Sequence, residues 1–205
     1  MKQFATPAGN FEIKGISRND FVYGYIGSLR TMGMEKGVID GLKTLGLLPQ
    51  NYKFLIVGGE KEDVEFYKNI SDELGVSGRV IFTGQILYSD IPKYAAKCDV
   101  FVAPFPRNEH FSLYMSPLKI FEYMVSKKPI VTTDLPSLRE VLVDGENAML
   151  IPPGNPQALA GAIIKLKENP EYGKKIADRA YLNVSEKYTW KTRAQKIISF
   201  VKAQI

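Results

Sequence analysis

The segment "DVFVAPFPRNEHFSLYMSPLKIFEYMVSKKPIVTTD", residues 99–134, holds one full turn of the pattern that sets the fold. "DVFVAPF" is a short apolar run that leads into a loop, "PLKIFEYMVSK" repeats its apolar positions at helical spacing, and "PIVTTD" is a second apolar run. Short runs that are apolar almost throughout, joined by an amphipathic helix, indicate parallel strands covered on both faces. The alternation continues on either side. "VYGYIG" precedes "EKGVIDGLKTLG", "KFLIVGG" precedes "KEDVEFYKNISDELG", and "RVIFTG" precedes "SDIPKYAAKC"; downstream, "SLREVLVDG" follows "PIVTTD" and "NPQALAGAIIKLKEN" follows "AMLIPPG". The class this predicts is α/β, a doubly wound parallel sheet. After about residue 152 the strands stop and three helical patterns remain, the last being "TWKTRAQKIISFVKAQ". No linker rich in Gly, Pro or Ser divides the chain, so residues 21–205 read as one domain with a helical tail, and residues 1–20 as an irregular connector.

The composition narrows the classes. At 205 residues and 45% hydrophobic content the chain can bury one substantial core. No apolar run is long enough to span a bilayer, and "MKQFATPAGNFEIKG" lacks the apolar centre of a signal peptide, so the expected location is cytoplasmic. One cysteine, Cys98, leaves no internal disulfide or cysteine-based zinc cluster, and one histidine, His110, leaves no histidine-rich metal site. No metal is expected. Cys98 reads as a small buried hydrophobe and His110 as a solvated loop residue. The net charge of +5 favours anionic partners such as nucleotides, phosphorylated substrates or an acidic membrane face. Without a zinc finger, an RRM signature or a basic-aromatic run, nucleic acid is not expected.

In sheets of this kind ligands bind beyond the carboxyl ends of the strands, near helix N-termini. The longest strand-end loop, "PFPRNEHFSLYMSPLK", delivers the chain to such an end. Ser116 is a good N-cap and Pro117 suits the first helical position, but Lys119 puts a cation where the partial positive charge of the helix start favours an acid. Two readings fit. The lysine extends into water at a cost of a few tenths of a kcal/mol, or it pairs with an anion held by the free N–H groups of Met115 to Leu118. Glu122, three residues on and on the same face, is either a surface partner of Lys119 or a carboxylate placed to accept hydrogen bonds from a ribose diol. Lysine for phosphate and glutamate for ribose together describe a nucleoside diphosphate. Glu140 has a local explanation, since Ser137 and Glu140 of "SLRE" read as a capping box.

The ordered set "YIGSLRTMGMEKG", "FLIVGGE", "LGVSGRVIFTGQI", "YAAKCDVFVAPF" and "PLKIFEYMVSKKPIVTTDLPSLREVLVDGENAMLIPPGNPQALAGAI" resembles the C-terminal, donor-binding half of GT-B glycosyltransferases of retaining family 4. The resemblance implies a Rossmann-like domain, with the N-terminal acceptor-binding domain outside these residues. The implied reaction is transfer of a sugar from a nucleoside diphosphate sugar to a glycan or lipid acceptor, with anomeric configuration retained and no cofactor beyond the donor. By the same resemblance, Glu122 binds the ribose and the backbone at Met115, Ser116 and Leu118 holds the diphosphate beside Lys119. Lys36 of "EKG" neutralises the leaving phosphate, and Gln85 and Ile86 lie by the base. Gly27 and Ser28 flank the donor; the family commonly has arginine where Ser28 stands, and Arg30 is the expected substitute. It also commonly has a glutamate where Tyr114 stands, so Glu109 and Tyr114 are the sugar-contact candidates. Family prevalence suggests polysaccharide biosynthesis at the inner membrane face, with peripheral membrane contact. The alternatives are a GT-B sugar epimerase or phosphorylase, and a non-catalytic nucleotide-binding or assembly module, which Ser28 and Tyr114 favour.

Overall fold

The computed structural model describes residues 11–116 and 118–202. In chain order the regular elements begin with β1 (Phe21–Ile26), a small hairpin of β2 (Arg30–Thr31) and β3 (Met34–Glu35), and α1 (Val38–Leu47). Next come β4 (Tyr52–Val57), α2 (Lys61–Glu73), β5 (Val80–Phe82), α3 (Ile91–Ala96), β6 (Val100–Ala103) and α4 (Leu118–Val125). The chain continues through β7 (Ile130–Thr133), α5 (Pro136–Arg139), β8 (Met149–Ile151), α6 (Pro156–Glu168), α7 (Pro170–Lys187) and α8 (Trp190–Lys202). Six strands form one parallel sheet in the order β5-β4-β1-β6-β7-β8, the doubly wound α/β arrangement that the apolar alternation predicts.

The strands have two apolar faces because each face meets helices. Val22, Ile26, Leu55, Val57, Phe101 and Ala103 point into one core with Ala95, Ile120, Tyr123, Met124 and Leu138 from α3, α4 and α5. Tyr23, Tyr25, Phe54, Ile56, Val100 and Val102 point into the other with Leu42, Leu45, Val64, Leu159 and Ile163 from α1, α2 and α6. Helix α7 contributes to both, through Ile176 on one side and Ala180 and Val184 on the other.

The winding reverses between β1 and β6, and that reversal opens a crevice beyond the strand ends. β1 stays paired with β4 as far as Ile26, but with β6 only at Tyr23 and Gly24. Past that point a side chain replaces the missing strand. The buried hydroxyl of Tyr123 in α4 accepts from the Ile26 N–H at 2.8 Å and donates to the Ile26 carbonyl at 3.2 Å. Its ring stacks on Phe101 of β6 with centroids 4.4 Å apart. This fixes α4 against the mouth of the crevice.

On the opposite flank, Gly37 in a left-handed conformation (φ 89°) ends the hairpin and starts α1. A Cβ there would lie 1.9 Å from the Pro104 carbonyl oxygen, so only glycine permits this approach. Glu35 reaches back to accept from the Ile39 N–H at 3.0 Å, so the start of α1 is capped from within the chain.

Several local expectations change. The basic loop after β1 is the β2/β3 hairpin, and the long loop after β6 contains a π-helical turn, His110–Tyr114. Asn108 Oδ1 accepts from the Phe111 N–H at 2.8 Å and so caps that turn. The capping box at Ser137 and Glu140 does not form. α5 starts two residues earlier, after Leu135, and the buried Ser137 hydroxyl donates instead to the Phe111 carbonyl at 2.6 Å, where burial makes that bond the stronger claim. Pro117 and residues 1–10 lie outside the described residues; residues 11–20 hold no helix or strand. Ile197, Ile198, Phe200 and Val201 leave apolar surface exposed on α8. Among the described residues no helix is long and apolar enough to cross a membrane.

Tyr123→Phe is expected to destabilise the protein by roughly 2 kcal/mol, because both Ile26 backbone groups lose a buried partner; urea unfolding measures this. Gly37→Ala is expected to cost about 2 kcal/mol or more, while Gly78→Ala, whose added Cβ meets nothing within 4 Å, stays within about 0.5 kcal/mol of the parent. Thermal melts of the pair separate the constraint at Gly37 from a general glycine effect.

Candidate functional site

Two cavities meet at the carboxyl end of β1, sharing Ile26, Gly27 and Ser28. The first, of about 370 Å³, lies between the start of α4, the π-helical turn and the loop before α1. The second, of about 360 Å³, lies between the start of α2 and the segment after β5.

Lys119 forms part of the wall of the first cavity and does not extend into water. Its side chain turns inward, with Nζ fully buried, 3.3 Å from the Tyr25 ring centroid and 5.6 Å from that of Phe105. Gly27 makes room for it: a Cβ there would stand 3.2 Å from Lys119 Cε and 3.5 Å from Nζ. Among the described residues the two buried side-chain polar atoms without a hydrogen-bond partner are Lys119 Nζ and Thr133 Oγ1. Taking a charged ammonium out of water without a paired anion costs several kcal/mol, whereas a desolvated cation–π contact returns about 2 kcal/mol. Burial without a paired anion therefore disfavours the ammonium form at this position. Burial, and then the charge of Lys36, hold the Lys119 pKa well below the ordinary lysine value, with Glu122 opposing weakly.

Lys36 reaches the same cavity from the other side, its ammonium donating to Ser28 Oγ at 2.7 Å, and burial lowers its pKa as well. Glu122 is half-buried on the cavity wall; burial raises its pKa and Lys119 lowers it. The surface ion pair between Lys119 and Glu122 does not form, because the lysine is folded under Gly27. Two lysines and one carboxylate thus face a shared space with no ion pair among them. Met115, Ser116 and Leu118 line that space at the start of α4. The Leu118 N–H is not free as expected: it donates to the Ser116 carbonyl at 2.9 Å.

Tyr114 also lines the first cavity, and its hydroxyl donates to Glu109 Oε1 at 3.4 Å. Glu109 itself stays outside the wall, exposed behind Tyr114. His110, expected in solvent, is half-buried on the wall. Its position in the longest strand-end loop was the available signal; the π-helical turn that swings it inward has no motif of its own.

Gln85 and Ile86 line the second cavity, where Gln85 Nε2 donates to Glu60 at 2.6 Å. Arg30 is there too, and not beside Lys36. The hairpin directs its guanidinium at α2, 3.6 Å from Asp63 Oδ1 and 4.1 Å from the Phe66 ring centroid. Arg30, the expected substitute for the arginine absent at Ser28, thus lines the second cavity, while Lys119 shares the first with Lys36. A third cavity, of about 400 Å³, lies along β5 with Lys14, Lys68 and Asp72 on its walls, and contains no orphaned buried group. Among the described residues no group of three His, Cys, Asp or Glu is placed to hold a metal ion.

Comparison with known proteins agrees with this architecture. EpsD of Bacillus subtilis (strain 168), described as a putative glycosyltransferase, is 30% identical over 165 residues, 80% of this chain and 41% of EpsD. Anabaena Alr3699/HepE, solved in complex with UDP-glucose, superposes with a TM-score of 0.77 at 26% identity, over 90% of this chain and 49% of that one. The C-terminal domain of the group 1 glycosyl transferase LpcC from Francisella tularensis shares the fold, with a TM-score of 0.72 at 22% identity and coverage of 92% and 97%. This chain thus spans about two fifths of EpsD and about half of the HepE chain. Residues 9–183 match the sequence profile of the family described as Glycosyl transferases group 1, and the chain belongs to that family.

Proposed function

We propose that this chain is the donor-binding half of a retaining glycosyltransferase that takes a sugar from a nucleoside diphosphate sugar. The observation that carries the reading is Lys119, a buried amine with no hydrogen-bond partner in the wall of a cavity that Lys36 and Glu122 also line. Such an arrangement suits an anionic ligand. The solved complexes of HepE, a protein of the same fold, contain UDP and UDP-glucose.

In this reading the diphosphate occupies the first cavity at the start of α4, and the base extends into the second past Gly27 towards Gln85 and Ile86. Glu122 accepts from the ribose hydroxyls. As the glycosidic bond breaks, negative charge grows on the leaving diphosphate. Lys36 and Lys119, held in place before the reaction, stabilise that charge without reorganisation. Tyr114 and His110 face the transferred sugar, with Glu109 orienting the Tyr114 hydroxyl. A second domain, outside these residues, supplies the glycan or lipid acceptor and closes over the donor. The cytoplasmic face of a membrane and polysaccharide synthesis are the setting proposed.

A non-catalytic nucleotide-binding module is the second reading, favoured by Tyr114 in place of the carboxylate the resemblance expects. Both readings bind nucleotide; only the first cleaves the donor once an acceptor half is present.

Calorimetric titration with UDP, GDP and ADP is expected to show binding selective for one base. Glu122→Ala should weaken it about tenfold or more, since hydrogen bonds to a charged group contribute roughly 1.5–3 kcal/mol. Equal affinity in the parent and in Glu122→Ala, or no binding to any of the three, would reject the donor site.

A further inference from the structure

The placement of Lys119 bears on how such a site fills, and the inference rests on the donor-site reading above. The Lys119 amine lies between the Tyr25 ring and Gly27 and makes no hydrogen bond within the chain. Every titratable group that faces it is identifiable. From β1 there is Tyr25, whose hydroxyl is committed to the Ser28 carbonyl at 2.8 Å. From the loop before α1 there is Lys36, tied to Ser28, with the half-buried Glu35 beyond it capping α1. From α4 itself there is Glu122, and from the π-helical turn come His110 and Tyr114 on the cavity wall, with Glu109 behind. Charging Lys119 in this setting puts a second ammonium near that of Lys36, with one half-buried carboxylate on the same cavity wall and no ion pair.

We propose that Lys119 is a proton-taking ligand: diphosphate binding draws its amine from the Tyr25 ring, and the amine takes a proton from solvent to become the ammonium that pairs with the phosphate. One N–H bond forms, one proton leaves the buffer, and nothing is oxidised or reduced. The pocket left by the absent Gly27 side chain is the resting place of the uncharged form. The start of α1 offers no rival anion site, because Glu35 already occupies its amides.

The sign of the pH effect follows from linkage. Where the complex holds one proton more than the empty protein, affinity falls as pH rises, by up to about tenfold per pH unit. The window runs from the depressed value of the empty-site amine up to its value in the complex. Lys36, whose pKa burial also lowers, can add to the uptake, so the assignment to Lys119 needs a variant.

UDP is titrated calorimetrically at about pH 8, above the last ionisation of its terminal phosphate, in buffers of differing ionisation enthalpy. The expected result is uptake of about one proton per UDP bound, with most of it gone in Lys119→Met. That variant should melt no lower than the parent, because a methionine suits the apolar berth. Binding without buffer dependence, or uptake unchanged in Lys119→Met, would overturn the inference and leave the donor site standing; no binding of UDP, GDP or ADP would remove both. Should Lys119→Met fail to bind, isotope-labelled lysine Cε resonances of the parent decide. The lysine resonance that Lys119→Met lacks must titrate below the ordinary lysine range without UDP and return upward with it; an ordinary titration of that resonance would overturn the proposal.

Discussion

The hydroxyl of Tyr123 stands where a strand is missing. β1 and β6 separate after Gly24, and the Ile26 N–H and carbonyl would otherwise face a water-poor crevice unpaired. An unmet buried backbone pair is costly enough that the helix carrying its partner is held in one position. Because Tyr123 also stacks on Phe101, the start of α4 is located relative to β1 and β6 together. Everything in the first cavity inherits its geometry from that junction, since Lys119 and Glu122 lie on the same helix within one turn of Tyr123.

The same junction explains why the lysine is buried. Gly27 follows Ile26 immediately, and the side chain it lacks is the space into which Lys119 folds. Ser28, next in line, gives its hydroxyl to Lys36 and its carbonyl to Tyr25. Three consecutive residues thus hold two lysines and a tyrosine ring around one cavity. The Lys119 amine is left there without a hydrogen-bond partner, and in the proposed reading the diphosphate supplies one.

Much of this was legible along the chain. The parallel sheet follows from apolar runs without alternation, and the helix at "SPLKIFEYM" from its capping signals. Glu122 is read from its spacing to Lys119, and Lys36 from the family resemblance of "EKG"; both line the first cavity. The direction of Arg30 was not legible, because it depends on a two-strand hairpin that points it at Asp63 and Phe66 of α2. His110 was read as solvated because nothing in "NEHFSLY" announces a π-helical turn. The Ser137 hydroxyl left its capping role for the Phe111 carbonyl, 26 residues away, a partner that exists only after folding.

The sequence by itself determined the class of fold, the main order of its strands and helices, and which loops lie at the carboxyl ends of the strands, because hydrophobic period and capping chemistry are local. The tertiary structure alone decided whether Lys119 met water or the Tyr25 ring. That choice depends on a glycine 92 residues earlier in the chain, brought beneath the helix by the Tyr123 hydrogen bonds. A side chain's charge state is set by what surrounds it, and its surroundings are a property of the packed molecule.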